Sequence, residues 1–150
     1  ALCGAYHEAI PRHQRLYPNA LTILKAIGSR YPLGLVSNGP RGRQRAVVER
    51  MELEGYFETI VISGDVGIRK PDPAIFRLAL DALAVSAMGS VYVGDDPHCD
   101  VIGACNSGLA AIWVNRGDFS AETLSRDGKP TPRHVEVHSL AEVPTALRLA

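Results

Sequence analysis

The sequence predicts an α/β domain built on a doubly wound parallel sheet, and three observations carry that prediction. Short, almost continuous apolar runs recur along the chain, which is how strands covered on both faces read. Segments with helical apolar spacing lie between them. Gly, Asn, Asp and Pro cluster where the runs end. Strand–helix alternation of this kind leads to a parallel sheet with right-handed crossovers.

The elements can be justified in order. Ala20, Ile23, Leu24 and Ile27 recur at i, i+3, i+4, i+7 and predict a first helix. Leu33-Gly34-Leu35-Val36-Ser37 predicts the first strand. Val47, Val48 and Met51 form a shorter helical stripe before the second strand, Thr59-Ile60-Val61-Ile62-Ser63. Asp72-Pro73 opens the next helix, with Asp as N-cap and Pro at the first helical position. Phe76, Ala79, Leu80 and Leu83 then give its apolar stripe. Ser90-Val91-Tyr92-Val93 predicts a third strand, and Asp100 to Ser107 a short helix ended by Gly108. Ala110-Ala111-Ile112-Trp113-Val114 predicts a fourth strand. His134-Val135-Glu136-Val137 alternates, as an edge strand does. Gly117 to Pro132 reads as a surface loop. Ser139-Leu140-Ala141-Glu142 has the form of a capping box, and Pro144 interrupts the last helix.

Composition bounds the function. The 150 residues are 46% hydrophobic and 21% charged, an ordinary globular balance. A chain of this length buries roughly 68–70% of its unfolded surface, enough for one core. Sixteen Lys and Arg against sixteen Asp and Glu leave no net charge, which argues against a binder of nucleic acid or anionic membranes. No apolar stretch reaches the ~20 residues of a membrane span. The opening residues, Ala1 to Glu8, lack the basic and apolar regions of a signal peptide. Cys3, Cys99 and Cys105 are odd in number and form no CxxC pair, so a reducing, cytoplasmic setting is expected. The first methionine is Met51, which makes a fragment the expected status of the chain.

In sheets of this kind ligands bind beyond the carboxyl ends of the strands. The first strand ends in Ser37-Asn38-Gly39-Pro40, where a hydroxyl and an amide precede a helix. That is an anion site in waiting, or simply a helix cap. The second runs into Ser63-Gly64-Asp65-Val66-Gly67-Ile68-Arg69-Lys70-Pro71-Asp72-Pro73. Its Lys70 is either held in place by the Gly- and Pro-shaped loop or exposed like any surface lysine. The third ends in Gly94-Asp95-Asp96-Pro97-His98-Cys99-Asp100. Carboxylates this close repel unless a cation joins them, and hard oxygen ligands suit Mg²⁺. The alternative is a solvated acidic turn. Hydroxyl, ammonium and acid on one sheet edge are what phosphoryl transfer needs, because its catalysis is mostly positioning and charge stabilisation.

These residues resemble the haloacid dehalogenase superfamily of hydrolases, in the subgroup with a helical cap. Leu35-Val36-Ser37-Asn38-Gly39, Gly67-Ile68-Arg69-Lys70-Pro71-Asp72-Pro73-Ala74-Ile75-Phe76, and Val93-Gly94-Asp95-Asp96 with Asp100 resemble that family's second, third and fourth motifs, in order. Ala111-Ile112-Trp113-Val114-Asn115-Arg116 is similar to its fifth core strand. The resemblance implies a Rossmann-like core over residues 17–150, with 1–16 a remnant of the cap or its return helix. It implies that Ser37, with Asn38 and Gly39, binds the transferring phosphoryl group and that Lys70 neutralises it. Asp95, Asp96 and Asp100 would seat Mg²⁺, Asp100 directly or through water. The implied activity is a Mg²⁺-dependent phosphatase acting on a small phosphorylated metabolite through an aspartyl-phosphate.

One departure is large. The family's first motif, D-x-D-x-T or -V on the central strand, has no counterpart here: Ala1 to Arg30 contain no Asp. Covalent phosphoryl transfer needs that carboxylate, so the chain alone is expected to be inactive. Loss of a central strand leaves two inner edges, each buried orphan group costing about 1–3 kcal/mol. Such edges invite pairing. An N-terminal segment or a second chain is therefore the expected partner. A 2-haloacid dehalogenase is the nearest alternative, although dehalogenases of this superfamily carry neutral residues where Asp95 and Asp96 stand. A non-catalytic interaction module is another. A receiver domain fits less well, because its acidic pair precedes its hydroxyl and lysine. His98 reads as a solvated loop residue, Cys99, Cys105 and Trp113 as core, and Arg41, Arg43 and Arg45 as a solvated face with Arg41 within reach of a substrate anion.

Overall fold

The computed structural model describes residues 15–120, 123–124 and 134–148. Its elements alternate as expected: α1 (Ala20–Gly28), β1 (Gly34–Ser37), α2 (Arg41–Arg50), β2 (Thr59–Ile62), α3 (Ser63–Val66), α4 (Pro73–Ala82) and β3 (Val91–Gly94) come first. A π-helical turn (Pro97–Ile102), α5 (Gly103–Asn106), β4 (Ala110–Val114), β5 (His134–Val137) and α6 (Val143–Ala146) follow. Every strand pairing is parallel.

The pairing falls into two sheets. β1 pairs with β2, setting Ser37 opposite Ile62, and β3, β4 and β5 pair in that order, setting Gly94 opposite Trp113. β1 and β3 are not paired with each other. Side chains cross between them instead: the Tyr92 hydroxyl of β3 and the Lys70 ammonium each donate to the Val36 carbonyl of β1, both at 3.2 Å. A strand-edge carbonyl is thus satisfied without a neighbouring strand.

Period-two alternation sends neighbouring residues to opposite faces. On one face Val36, Val61, Ala111 and Trp113 pack with Ile75, Phe76 and Ala79 of α4 and with Val101 and Ala104. On the other, Ile112, Val114 and Val137 pack with Val143 and Ala146 of α6 and with Ile27 of α1. Helices on both faces explain why β4 is apolar throughout, with Ala111, Ile112, Trp113 and Val114 all buried. The alternating β5 lies at the sheet edge as its pattern predicts.

Several expectations need correction. The helix expected over Asp100 to Ser107 starts earlier, as a π-helical turn from Pro97, because Asp96 accepts from the backbone N–H of His98 and Cys99. The capping box does not form. The Ser139 hydroxyl donates to the Glu142 carboxylate at 2.7 Å, and only a 3₁₀ turn follows (Leu140–Glu142). Pro144 has no N–H to extend that turn and sits instead in the first turn of α6. The short α3 was not expected; it ends at Gly67, whose φ of 72° a glycine adopts without strain. Within the loop after β4, Leu124 is buried in the core rather than exposed. Residues 1–14, including Cys3 and all but the last two residues of the expected 1–16 cap remnant, lie outside the described residues, as does most of that loop.

Candidate active site

Ser37 closes β1, and the loop that follows is tied down on two sides. The Gly39 N–H donates to the Ser63 hydroxyl at 2.9 Å, and the Gly64 N–H donates to the Gly39 carbonyl at 3.1 Å. On the opposite side the Asn38 carboxamide meets the Lys70 backbone twice. Asn38 Nδ2 donates to the Lys70 carbonyl at 3.0 Å, and the Lys70 N–H donates to Asn38 Oδ1 at 2.9 Å. The loops after β1 and β2 are therefore one hydrogen-bonded unit.

Lys70 is buried, as an exposed surface lysine would not be. Its ammonium donates to Asp100 Oδ1 at 2.6 Å, to the Tyr92 hydroxyl at 2.8 Å and to the Val36 carbonyl. A buried ammonium needs such a set of acceptors. Asp100 is equally committed. Its Oδ2 accepts from the N–H of both Asp95 and Asp96 at 3.0 Å, so the one carboxylate joins Lys70 to the loop after β3. Gly94 makes this approach possible, since a Cβ there would lie 2.4 Å from Asp100 Oδ2. Asp96 caps the π-helical turn. Asp95 turns outward, its side chain 65% exposed and paired with Arg116 at 3.2 Å. Trp113 is core as expected, yet its indole N–H also donates to the Asp95 carbonyl at 3.0 Å.

The structure thus links Asn38, Lys70 and Asp100 to the Asp95 and Asp96 backbone, with Ser37 and Gly39 flanking Asn38. It does not gather the expected Asp95, Asp96 and Asp100 carboxylates as a metal seat, because Asp95 turns to Arg116, Asp96 caps the π-helical turn and Asp100 holds Lys70. Sequence reasoning passed over Tyr92, Arg116 and Tyr17. Burial and then the Asp100 carboxylate push the Tyr92 phenol well above its ordinary pKa of about 10. Arg116 stacks on the Tyr17 ring, 4.5 Å from its centroid, and also bonds its hydroxyl. Nothing in the strand pattern singles Tyr92 out, because an aromatic in an apolar run reads as core. His98 is exposed as expected. Arg41 and Arg45 both pair with Asp65. Cys105 packs against the core, whereas Cys99 lies beside Asp96, where burial and then that carboxylate raise its thiol pKa.

A family model for haloacid dehalogenase-like hydrolases matches residues 2–114. The chain belongs to that family. Among curated relatives of this hydrolase family it is 42% identical over 114 residues to the phosphoserine phosphatase of Thermus thermophilus, covering 73% of this chain and 46% of that protein. It is 33% identical over 138 residues to the N-acylneuraminate-9-phosphatase of Rattus norvegicus, covering 91% and 54%. The chain spans about half the length of these relatives. Among solved structures it resembles a haloacid dehalogenase-type phosphatase from Thermococcus onnurineus at 30% identity, with a TM-score of 0.79, covering 95% of this chain and 64% of that one. It is likewise similar to a 2-haloacid dehalogenase from Pseudomonas syringae at 35% identity, with a TM-score of 0.77, covering 93% and 56%.

Proposed function

We propose that this chain is the phosphate- and metal-handling part of a Mg²⁺-dependent phosphatase that acts on small phosphate esters through an aspartyl-phosphate. The observation that carries the reading is the continuous link from the Ser37 loop through Lys70 to Asp100 and the Asp95 backbone. In this role Ser37 and the Asn38 backbone bind phosphoryl oxygens, and Lys70 balances their charge; the Gly39 N–H, expected to share that task, is taken by the Ser63 hydroxyl. Asp100 positions both Lys70 and the loop that carries Asp95.

A Mg²⁺ site here would rest on the one outward carboxylate, Asp95, since Mg²⁺ commonly takes only one or two carboxylates and keeps several waters; among the described residues no three His, Cys, Asp or Glu side chains gather as a metal seat. Asp95 would hold the ion directly and Asp100 through water, while Asp96 serves chiefly as a cap. The ion would supply charge neutralisation at the phosphoryl oxygens.

The nucleophilic Asp comes from outside this chain, on a strand that pairs between β1 and β3. An upstream segment of the same protein or a second polypeptide would supply it. The Val36 carbonyl supports this reading, because side chains now take the place a strand N–H would fill. The acidic Asp95-Asp96 pair favours a phosphatase over a dehalogenase, and the thiol count favours a cytoplasmic setting.

The test is complementation. The 150-residue chain is mixed with a synthetic apolar strand ending in Asp-x-Asp, and hydrolysis of p-nitrophenyl phosphate is followed. Neither component alone is expected to turn over, and the mixture is expected to do so until EDTA is added. Halide release from 2-chloropropionate that ignores EDTA would establish the dehalogenase instead, and no turnover of either substrate would favour an interaction module.

A further inference from the structure

We propose that the Asn38 side chain is the positioning residue for the Lys70 ammonium. This goes beyond the contact to phosphate that the resemblance gives to the Asn38 backbone. Its catalytic consequence rests on the phosphatase reading; its structural content does not.

The carboxamide uses both its donor and its acceptor on one peptide unit 32 residues away, at 3.0 and 2.9 Å. Asn38 is itself held, since its carbonyl accepts from Gln44 Nε2 at 3.0 Å. The Lys70 side chain must then deliver its ammonium to three acceptors from three elements: the Val36 carbonyl, the Tyr92 hydroxyl and Asp100 Oδ1. A long, rotatable chain reaches three fixed acceptors at once only if its root is fixed. Asn38 fixes that root and does so from the residue next to Ser37.

The chemistry of the clamp is specific. A primary amide presents a donor and an acceptor side by side. An aspartate would keep the acceptor for the Lys70 N–H but turn an anionic oxygen toward the Lys70 carbonyl. A serine is too short to span both groups.

The experiment is hydrogen exchange at the Lys70 ammonium, read by NMR on the 150-residue chain with ¹⁵N-labelled lysine. The sequence has only Lys25, Lys70 and Lys129, and a Lys70→Arg variant identifies the signal. Wild type is expected to show one slowly exchanging ammonium. Asn38→Ala is expected to speed its exchange by about tenfold or more, through a larger population of locally open states. Asn38→Asp is expected to act in the same direction, and it decides the matter should the alanine variant fail to fold. Ser63→Ala, which frees the same loop on its far side, is expected to leave the exchange within about twofold of wild type. Unchanged exchange in Asn38→Asp, or equal acceleration in Ser63→Ala, would overturn the proposal and leave Asn38 a general loop stabiliser. No step needs turnover, so absence of phosphatase activity in the complemented chain counts against the proposed function alone.

Discussion

At the scale of single residues, the weight falls on one buried ion pair. Lys70 and Asp100 have side chains only 10% and 6% exposed, and Asp100 also holds two backbone N–H groups. Asp100→Ala leaves an ammonium and both N–H groups without that partner. Breaking a buried pair in this way costs about 3–5 kcal/mol. Urea unfolding followed by the emission of Trp113, the sole tryptophan, should show a loss of that size. Tyr92 offers a second prediction. In the unfolded chain its phenol ionises near pH 10, whereas in the folded protein it keeps its proton to higher pH. Above pH ~10 the folded state therefore binds one more proton, and stability falls by about 1.4 kcal/mol per pH unit. Below that pH this group leaves stability flat. Tyr92→Phe should remove this part of the alkaline slope and leave the part from the raised Cys99 and Cys105 thiols, visible when urea midpoints of the two proteins are compared from about pH 9 to about pH 11. The variant should also lose about 1 kcal/mol at neutral pH, because the phenol no longer serves Lys70 and Val36.

At the scale of elements, the strands were readable and the joints less so. β1 to β5 fall within a residue or so of their apolar runs, because a short apolar run bounded by turn residues declares a strand locally; the expectation of burial on both faces holds for β4 but not for β3, whose Val93 is exposed. The start of α4 was readable too, as Asp72 accepts from the Ala74 N–H and Pro73 follows. The π-helical turn was not, because it depends on Asp96 taking two N–H groups within a sharply turned loop. The absent capping box shows the same limit: Ser139 does precede a helical segment, but its hydroxyl turns to the Glu142 carboxylate instead of accepting from a backbone N–H. Two glycines mark where elements come too close for a side chain. A Cβ on Gly94 would meet the Asp100 carboxylate, and one on Gly64 would lie 2.5 Å from the Arg41 nitrogen. Gly94→Ala should cost about 1–3 kcal/mol as an overpacking change. It should also release the Asp95 and Asp96 N–H groups from Asp100, readable as faster amide exchange at those two positions.

At the scale of the molecule, the β1–β2 and β3–β4–β5 sheets are not paired with each other, and among the described residues the Lys70 and Tyr92 side chains bond across to the Val36 carbonyl. Adding a strand-forming peptide that binds there should stabilise the chain by mass action, by about 2.7 kcal/mol at a hundredfold excess over its Kd. The Tm should rise with peptide concentration, and a peptide with proline at alternate positions should have no effect. Among the described residues no helix is long and apolar enough to cross a membrane. The succession of strands and helices, the burial of β4 on both faces and the place of Ser37 and Asp95 at the ends of β1 and β3 were written in the sequence itself, because periodicity and turn chemistry act over a few neighbouring residues. Which atom meets which was decided only by the tertiary structure. Asn38 turning to Lys70, Lys70 to Asp100 and Tyr92 to Val36 are contacts between residues 30 to 56 positions apart. Their geometry follows from how α4 and the π-helical turn pack beneath the strands, and no local pattern encodes that.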